Sequence, residues 1–141
     1  MLRRASAIWQ GNLKEGKGTV STESGALDKT PYSFSTRFET DRGTNPEELI
    51  AAAHAGCFSM TLSSQLGGAE ITPQSIETSA EVTMEKLEKG WTVTQVHLHV
   101  VAKIPGLNKM AFDKAAQNAK EGCPISRLLN VQVTMTTQLV S

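Results

Sequence analysis

Between Leu49 and Met60 the chain carries no charged residue, and most positions are small: Ala51, Ala52, Ala53, Ala55, Gly56, Cys57 and Ser59. The stretch is framed as a helix. Thr44 or Asn45 suits the N-cap and Pro46 the first helical position, while Glu47 and Glu48 put negative charge at the positive end of the dipole. Gly67-Gly68 is the stop signal, with the helix expected to run to about Leu66. Apolar character runs around the whole circumference, the pattern of a helix buried on every side. A chain of 141 residues has little material to enclose such a helix. A second subunit is therefore expected to help cover it.

The segments around this helix read as strands and amphipathic helices. Ala5–Trp9 and Gly18–Thr22 are short strands, with a turn at Gly11-Asn12 between them. Tyr32–Phe38 alternates with period two and predicts a third strand, with Tyr32, Phe34, Thr36 and Phe38 on one face and Arg37 on the other among small hydroxyls. Beyond Thr72-Pro73, Ile76–Met84 and Trp91–Lys103 form a strand pair joined by a charged turn. Val96, Leu98, Val100 and Ala102 make the core face of the second strand, and His97 and His99 point away from it. Met110, Phe112, Ala115, Ala116 and Ala119 fit a second amphipathic helix, closed by Gly122 in a cap position. A short helix begins at Cys123-Pro124, and Val131–Val140 alternates as a final strand. The whole is an α+β chain, expected to form one domain over residues 1–141.

Charge excludes some function classes. Fourteen basic residues balance fourteen acidic ones, so no net field draws the chain to nucleic acid or an anionic membrane. The most apolar stretch, Leu49 to Leu62, falls short of the ~20 residues a membrane-spanning helix needs. No signal-peptide pattern opens the sequence, and the expected compartment is the reducing cytoplasm, where structural disulfides are uncommon.

Two cysteines in such a setting, Cys57 and Cys123, leave three readings: inert core fillers, a nucleophile with a bystander, or a transient catalytic disulfide. Composition alone favours the first. Against it stands the company Cys57 could keep. Glu47 lies in the first turn of the helix that carries Cys57, and Arg37 is a guanidinium that a carboxylate binds in bidentate fashion. An arginine so held beside a cysteine favours the thiolate; the bland alternative is that both charges are solvated surface. Cys123 is either a buried cap residue or a resolving thiol at a flexible corner. His54, three residues before Cys57 and on the same helical face, is a satisfied core histidine or the base of a Cys–His pair. His97 and His99 lack an evident third metal ligand. Phe58, Met60 and Trp91 read as core or pocket wall.

Four stretches together resemble a known family. Gly18-Thr19-Val20-Ser21-Thr22-Glu23-Ser24-Gly25, Thr36-Arg37-Phe38-Glu39, Asn45-Pro46-Glu47-Glu48-Leu49 leading to Gly56-Cys57-Phe58-Ser59-Met60, and Glu121-Gly122-Cys123-Pro124-Ile125-Ser126 are similar to the OsmC branch of the OsmC/Ohr hydroperoxide reductases. The resemblance implies an intertwined homodimer, each subunit running β3-α-β2-α2-β around a buried central helix, with active sites at the subunit interface. By position it makes Cys57 the peroxidatic cysteine, Cys123 the resolving cysteine, Arg37 the activating arginine and Glu47 its carboxylate partner. It also implies a hydroperoxide substrate and a dithiol reductant of lipoyl type; the apolar Phe58 and Met60 near Cys57 are expected to suit organic hydroperoxides over hydrogen peroxide. No metal, flavin or haem is implied, because sulfur carries the redox change. Two rivals remain at this level: a cysteine hydrolase using Cys57 and His54, and a thiol-based sensor or binding module on the same scaffold.

Overall fold

The computed structural model describes residues Met1–Ser141 as two compact units, Met1–Leu49 and Ile50–Ser141. In the first, β1 (Ala5–Gln10), β2 (Lys17–Thr22) and β3 (Thr30–Tyr32) form an antiparallel sheet in that order. The register aligns Trp9, Gly18 and Tyr32 across the three strands. The Trp9 and Tyr32 rings meet over the glycine with centroids 5.5 Å apart. A Cβ on Gly18 would lie 2.6 Å from both rings, so only glycine allows this pairing.

The expected strand over Tyr32–Phe38 is a correction. Pairing ends at Tyr32, and Phe34–Phe38 is a helix, α1. Ser33 caps it through a reciprocal box, its hydroxyl accepting from the Thr36 N–H while the Thr36 hydroxyl accepts from the Ser33 N–H. Phe34 and Phe38, which fit a strand period of two, are equally i and i+4 on a helix, and their rings lie 4.9 Å apart. In so short a segment the capping box decides between the two periods.

Helix α2 spans Pro46–Gly68. Asn45 starts it, its side-chain oxygen accepting from the Glu48 N–H at 2.8 Å and its amide donating to the Thr36 carbonyl at the end of α1. The helix closes two residues past the glycine pair. Ile71 N–H reaches the Leu66 carbonyl and Glu70 N–H the Gly67 carbonyl, with Glu70 in the left-handed conformation at φ 60°. This is a Schellman closure with a non-glycine at its left-handed position.

The second unit holds the hydrophobic core. β4 (Ser75–Leu87) and β5 (Gly90–Lys103) form a long antiparallel hairpin with a bulge at Thr83/Met84. β6 (Gln132–Val140) joins β5 in parallel, Gln95 beside Gln132 through Lys103 beside Val140. A parallel neighbour requires a crossover, supplied by α3 (Lys109–Gly122) and α4 (Pro124–Leu128). Gly122 is the last residue of α3, and Cys123, not a glycine, takes the cap position. Val96, Leu98, Val100 and Ala102 are fully buried, as their alternation predicts. Phe58, Leu62 and Leu66 of α2 and Phe112, Ala116 and Ala119 of α3 cover them. His97 and His99 point away and bond the Thr134 and Thr136 hydroxyls of β6.

The expectation that α2 is buried on all sides does not hold within one chain. Only His54, Phe58, Leu62 and Leu66 are buried, a stripe at i, i+4 spacing, while Met60 is 78% exposed. The alanines and Gly56 line the uncovered flanks. No helix is long and apolar enough to cross a membrane.

Candidate active site

Two helices of the second unit meet through paired side chains. Cys57 and His54 are three residues apart on α2, hence neighbours on one face. Cys123 and Ser126 have the same spacing at the start of α4. The Cys123 thiol donates to the Cys57 sulfur at 2.8 Å, and His54 Nε2 and the Ser126 hydroxyl share a hydrogen bond of 2.7 Å. The sulfurs are 66 positions apart in sequence, and both are free thiols. Cys123 is buried and Cys57 half-buried.

Burial pushes the Cys57 thiol up from its ordinary value, and Cys123 adds to this as hydrogen-bond partner and as a like charge. The Ile125 backbone N–H, in the first turn of α4, and the Thr61 hydroxyl pull the other way without reversing it. A thiol in this state is a weak nucleophile, since the thiolate is the attacking species. His54 is fully buried, and desolvation lowers its pKa, so its ring is neutral. Nδ1 has no partner. Its other nitrogen is engaged by Ser126, so the ring is held as a neutral link between helices, in contrast to the charged partner a Cys–His nucleophilic pair would need.

In the first unit Arg37 and Glu47 form the bidentate pair expected of them. Arg37 Nη2 donates to Glu47 Oε1 at 2.7 Å, and Nε donates to both carboxylate oxygens at 3.1 and 3.2 Å. The two are brought together from the last turn of α1 and the first turn of α2, whose ends Asn45 ties. The guanidinium also lies over the Phe38 ring, 5.0 Å from its centroid. Beside it, Trp9, Leu13, Tyr32, Phe34 and Phe38 line a cavity of about 220 Å³.

Of the three residues read as core or pocket wall, Phe58 lies in the core, whereas Met60 and Trp91 are exposed. The aromatic wall belongs instead to the neighbourhood of Arg37. Sequence reasoning gave no role to Ser126 or the Ile125 N–H. The usable signal was the repeated i, i+3 spacing, His54–Cys57 and Cys123–Ser126.

A mixed sheet with helices on one face and a close pair of free thiols defines a thiol-bearing α+β protein. The chain belongs to the OsmC-like family, whose family profile matches residues 39–138. It is 50% identical to the peroxiredoxin OsmC of Escherichia coli (strain K12) over 99% of this chain and 97% of that one. A crystal structure from Legionella pneumophila, described as an organic hydroperoxide resistance protein OsmC, superposes with TM-score 0.74 at 27% identity, covering 98% of each chain. OhrB of Bacillus subtilis shares the fold, with TM-score 0.70 at 24% identity over 96% of this chain and 98% of that one.

Proposed function

We propose that this protein is a thiol-dependent peroxidase that reduces hydroperoxides, with Cys57 as the attacking sulfur. The observation that carries the reading is the 2.8 Å approach of two free thiols 66 positions apart in the sequence. The 50% identity to a protein named peroxiredoxin OsmC supports it. Cys57 thiolate attacks the distal oxygen of ROOH, the O–O bond breaks, and protonated alkoxide leaves as ROH. Cys57 is then a sulfenic acid. The Cys123 sulfur displaces its hydroxyl, forming the disulfide and releasing water, which removes Cys57 from further oxidation. An external dithiol, for which a lipoyl group is our candidate, reopens the bond by exchange.

The first step needs a cation, because burial alone holds the Cys57 thiol up. Arg37 is our assignment, with Glu47 fixing its fork and the guanidinium meeting negative charge on thiolate and departing oxygen. The whole chain acts as one functional domain in a homodimer that completes the site. The uncovered small-residue flanks of α2 favour such a partner. The aromatic cavity beside Arg37 favours organic hydroperoxides over hydrogen peroxide, and the balanced thiol pair suits the reducing cytoplasm. The test is mass spectrometry after one equivalent of cumene hydroperoxide. Loss of two hydrogens mapped to a Cys57–Cys123 link is the expected result; oxidation confined to either cysteine alone refutes the assignment.

A further inference from the structure

We infer that His54 and Ser126 are positioning residues for the second chemical step, a latch that holds the resolving thiol in register with Cys57. The inference rests on the peroxidase reading above. Its basis is the two-rung ladder between α2 and α4, in which Cys57 meets Cys123 at 2.8 Å and His54 meets Ser126 at 2.7 Å. Each pair is spaced by three residues on its own helix and runs in opposite order. Fixing one rung therefore fixes the alignment of the other.

Helix α4 is anchored at its ends: Cys123 is fully buried, its N–H donating to the Ala119 carbonyl of α3, and Leu129 packs against the core. It is five residues long, buries none of them, and its N-cap Cys123 makes no side-chain capping bond. So short a helix is not stable by its own hydrogen bonds. With Cys123 placed by the end of α3, the ladder is the side-chain contact that sets how α4 turns against α2 and so aligns the Cys123 thiol with Cys57. His54 suits the task because its ring is fully buried, so its end of the bond to Ser126 is shielded from water. His54 anchors from the core side, one helical turn from the chemistry.

The step that depends on this register is condensation, in which the Cys57 S–OH and Cys123 S–H become a disulfide and water. It competes with a second hydroperoxide, which converts the sulfenic acid to sulfinic acid and releases another alcohol. Loosening the latch slows condensation and leaves sulfenic acid exposed for longer. Attack on the first hydroperoxide does not use Cys123 as a nucleophile, and because Cys123 holds the Cys57 thiol up, loosening that contact does not slow this step.

The experiment is rapid mixing with cumene hydroperoxide, following sulfenic acid formation and disulfide formation separately in the parent, Ser126→Ala, Ser126→Thr and His54→Gln proteins. Loss of one buried hydrogen bond predicts condensation slowed about fivefold in Ser126→Ala, with a matching rise in sulfinic acid at high peroxide. Ser126→Thr keeps the hydroxyl and restores condensation, which a merely structural role for the site does not predict. His54→Gln keeps a polar reach toward Ser126 and falls between the two. Parent-like condensation in Ser126→Ala overturns the inference, as does equal slowing of both steps. If the parent itself forms no disulfide, the peroxidase reading fails and takes the latch with it; a normal parent with an indifferent Ser126→Ala removes the latch alone.

Discussion

The two units are stabilised in different ways. Residues Ile50–Ser141 enclose eleven buried apolar side chains between a sheet and two helices. Residues Met1–Leu49 bury no side chain fully; Gly18 is their one buried residue, and every position of β1 is exposed, Ile8 at 62% and Trp9 at 36%. A three-stranded sheet that buries no side chain fully has little hydrophobic stabilisation of its own. The second unit is the kind of structure that patterning and burial hold together. The first buries little and carries the oriented guanidinium. The proposed homodimer would account for both, since contacts that stabilise Met1–Leu49 would then also complete the chemistry.

The largest expected effects separate the sulfur chemistry from the charge. Cys57→Ser abolishes hydroperoxide reduction, while Cys123→Ser consumes one equivalent to reach sulfenic acid, or a second to reach sulfinic acid, and then stalls; sustained turnover of either variant would break the division of roles. Arg37→Lys keeps a charge but loses the fork that Glu47 grips, and kcat/KM is expected to fall about a hundredfold. If Arg37 is the cation of the proposed mechanism, the pH profile of this variant shifts upward, since burial holds the Cys57 thiol up and a lysine without the Glu47 grip opposes it less. A parent-like rate in Arg37→Lys would leave the first unit without a catalytic part.

Stability should divide the units next. Phe112→Ala empties a fully buried site and should lower unfolding free energy by about 3–5 kcal/mol in urea titration. Trp9→Ala removes a surface ring pair and should cost only about 1 kcal/mol at low protein concentration. A larger loss that grows with protein concentration would instead measure Trp9 in the subunit contact.

The smallest effect concerns His54. Its folded pKa is depressed, so the unfolded chain binds a proton at pH values where the native ring stays neutral. Stability is therefore complete above the ordinary value of 6.5 and declines as pH falls below it toward the folded pKa. His54→Gln should flatten that limb of the urea midpoint against pH. An unchanged slope would assign the acid sensitivity to other groups.

Much of the fold is legible in particular residues. Val96, Leu98, Val100 and Ala102 announce a buried strand face by alternation, and Asn45-Pro46-Glu47-Glu48 announces the start of α2. The failures have local causes. Phe34 and Phe38 satisfy both a strand and a helix spacing, and a capping hydroxyl at Ser33 breaks the tie. The apolar circumference of α2 predicts burial all round, but one chain covers only the stripe from His54 to Leu66. At the site, the residues left Arg37–Glu47 open between an ion pair and two solvated charges, and the family resemblance favoured the pair that the structure forms. Ser126 was not readable, because a lone serine after a cysteine carries no signal until its partner is known.

What the sequence by itself determined is the set of local states and the reactive groups. Caps, breakers and periodicity act within a few residues, so they specify helix α2, the β4–β5 hairpin and the presence of two thiols. Only the tertiary structure decided that β6 returns parallel to β5 and that α4 meets α2 through Cys57–Cys123 and His54–Ser126. Those contacts join residues 66 and 72 positions apart. They depend on how two helices settle together over one sheet face, a packing outcome that no nearest-neighbour preference encodes.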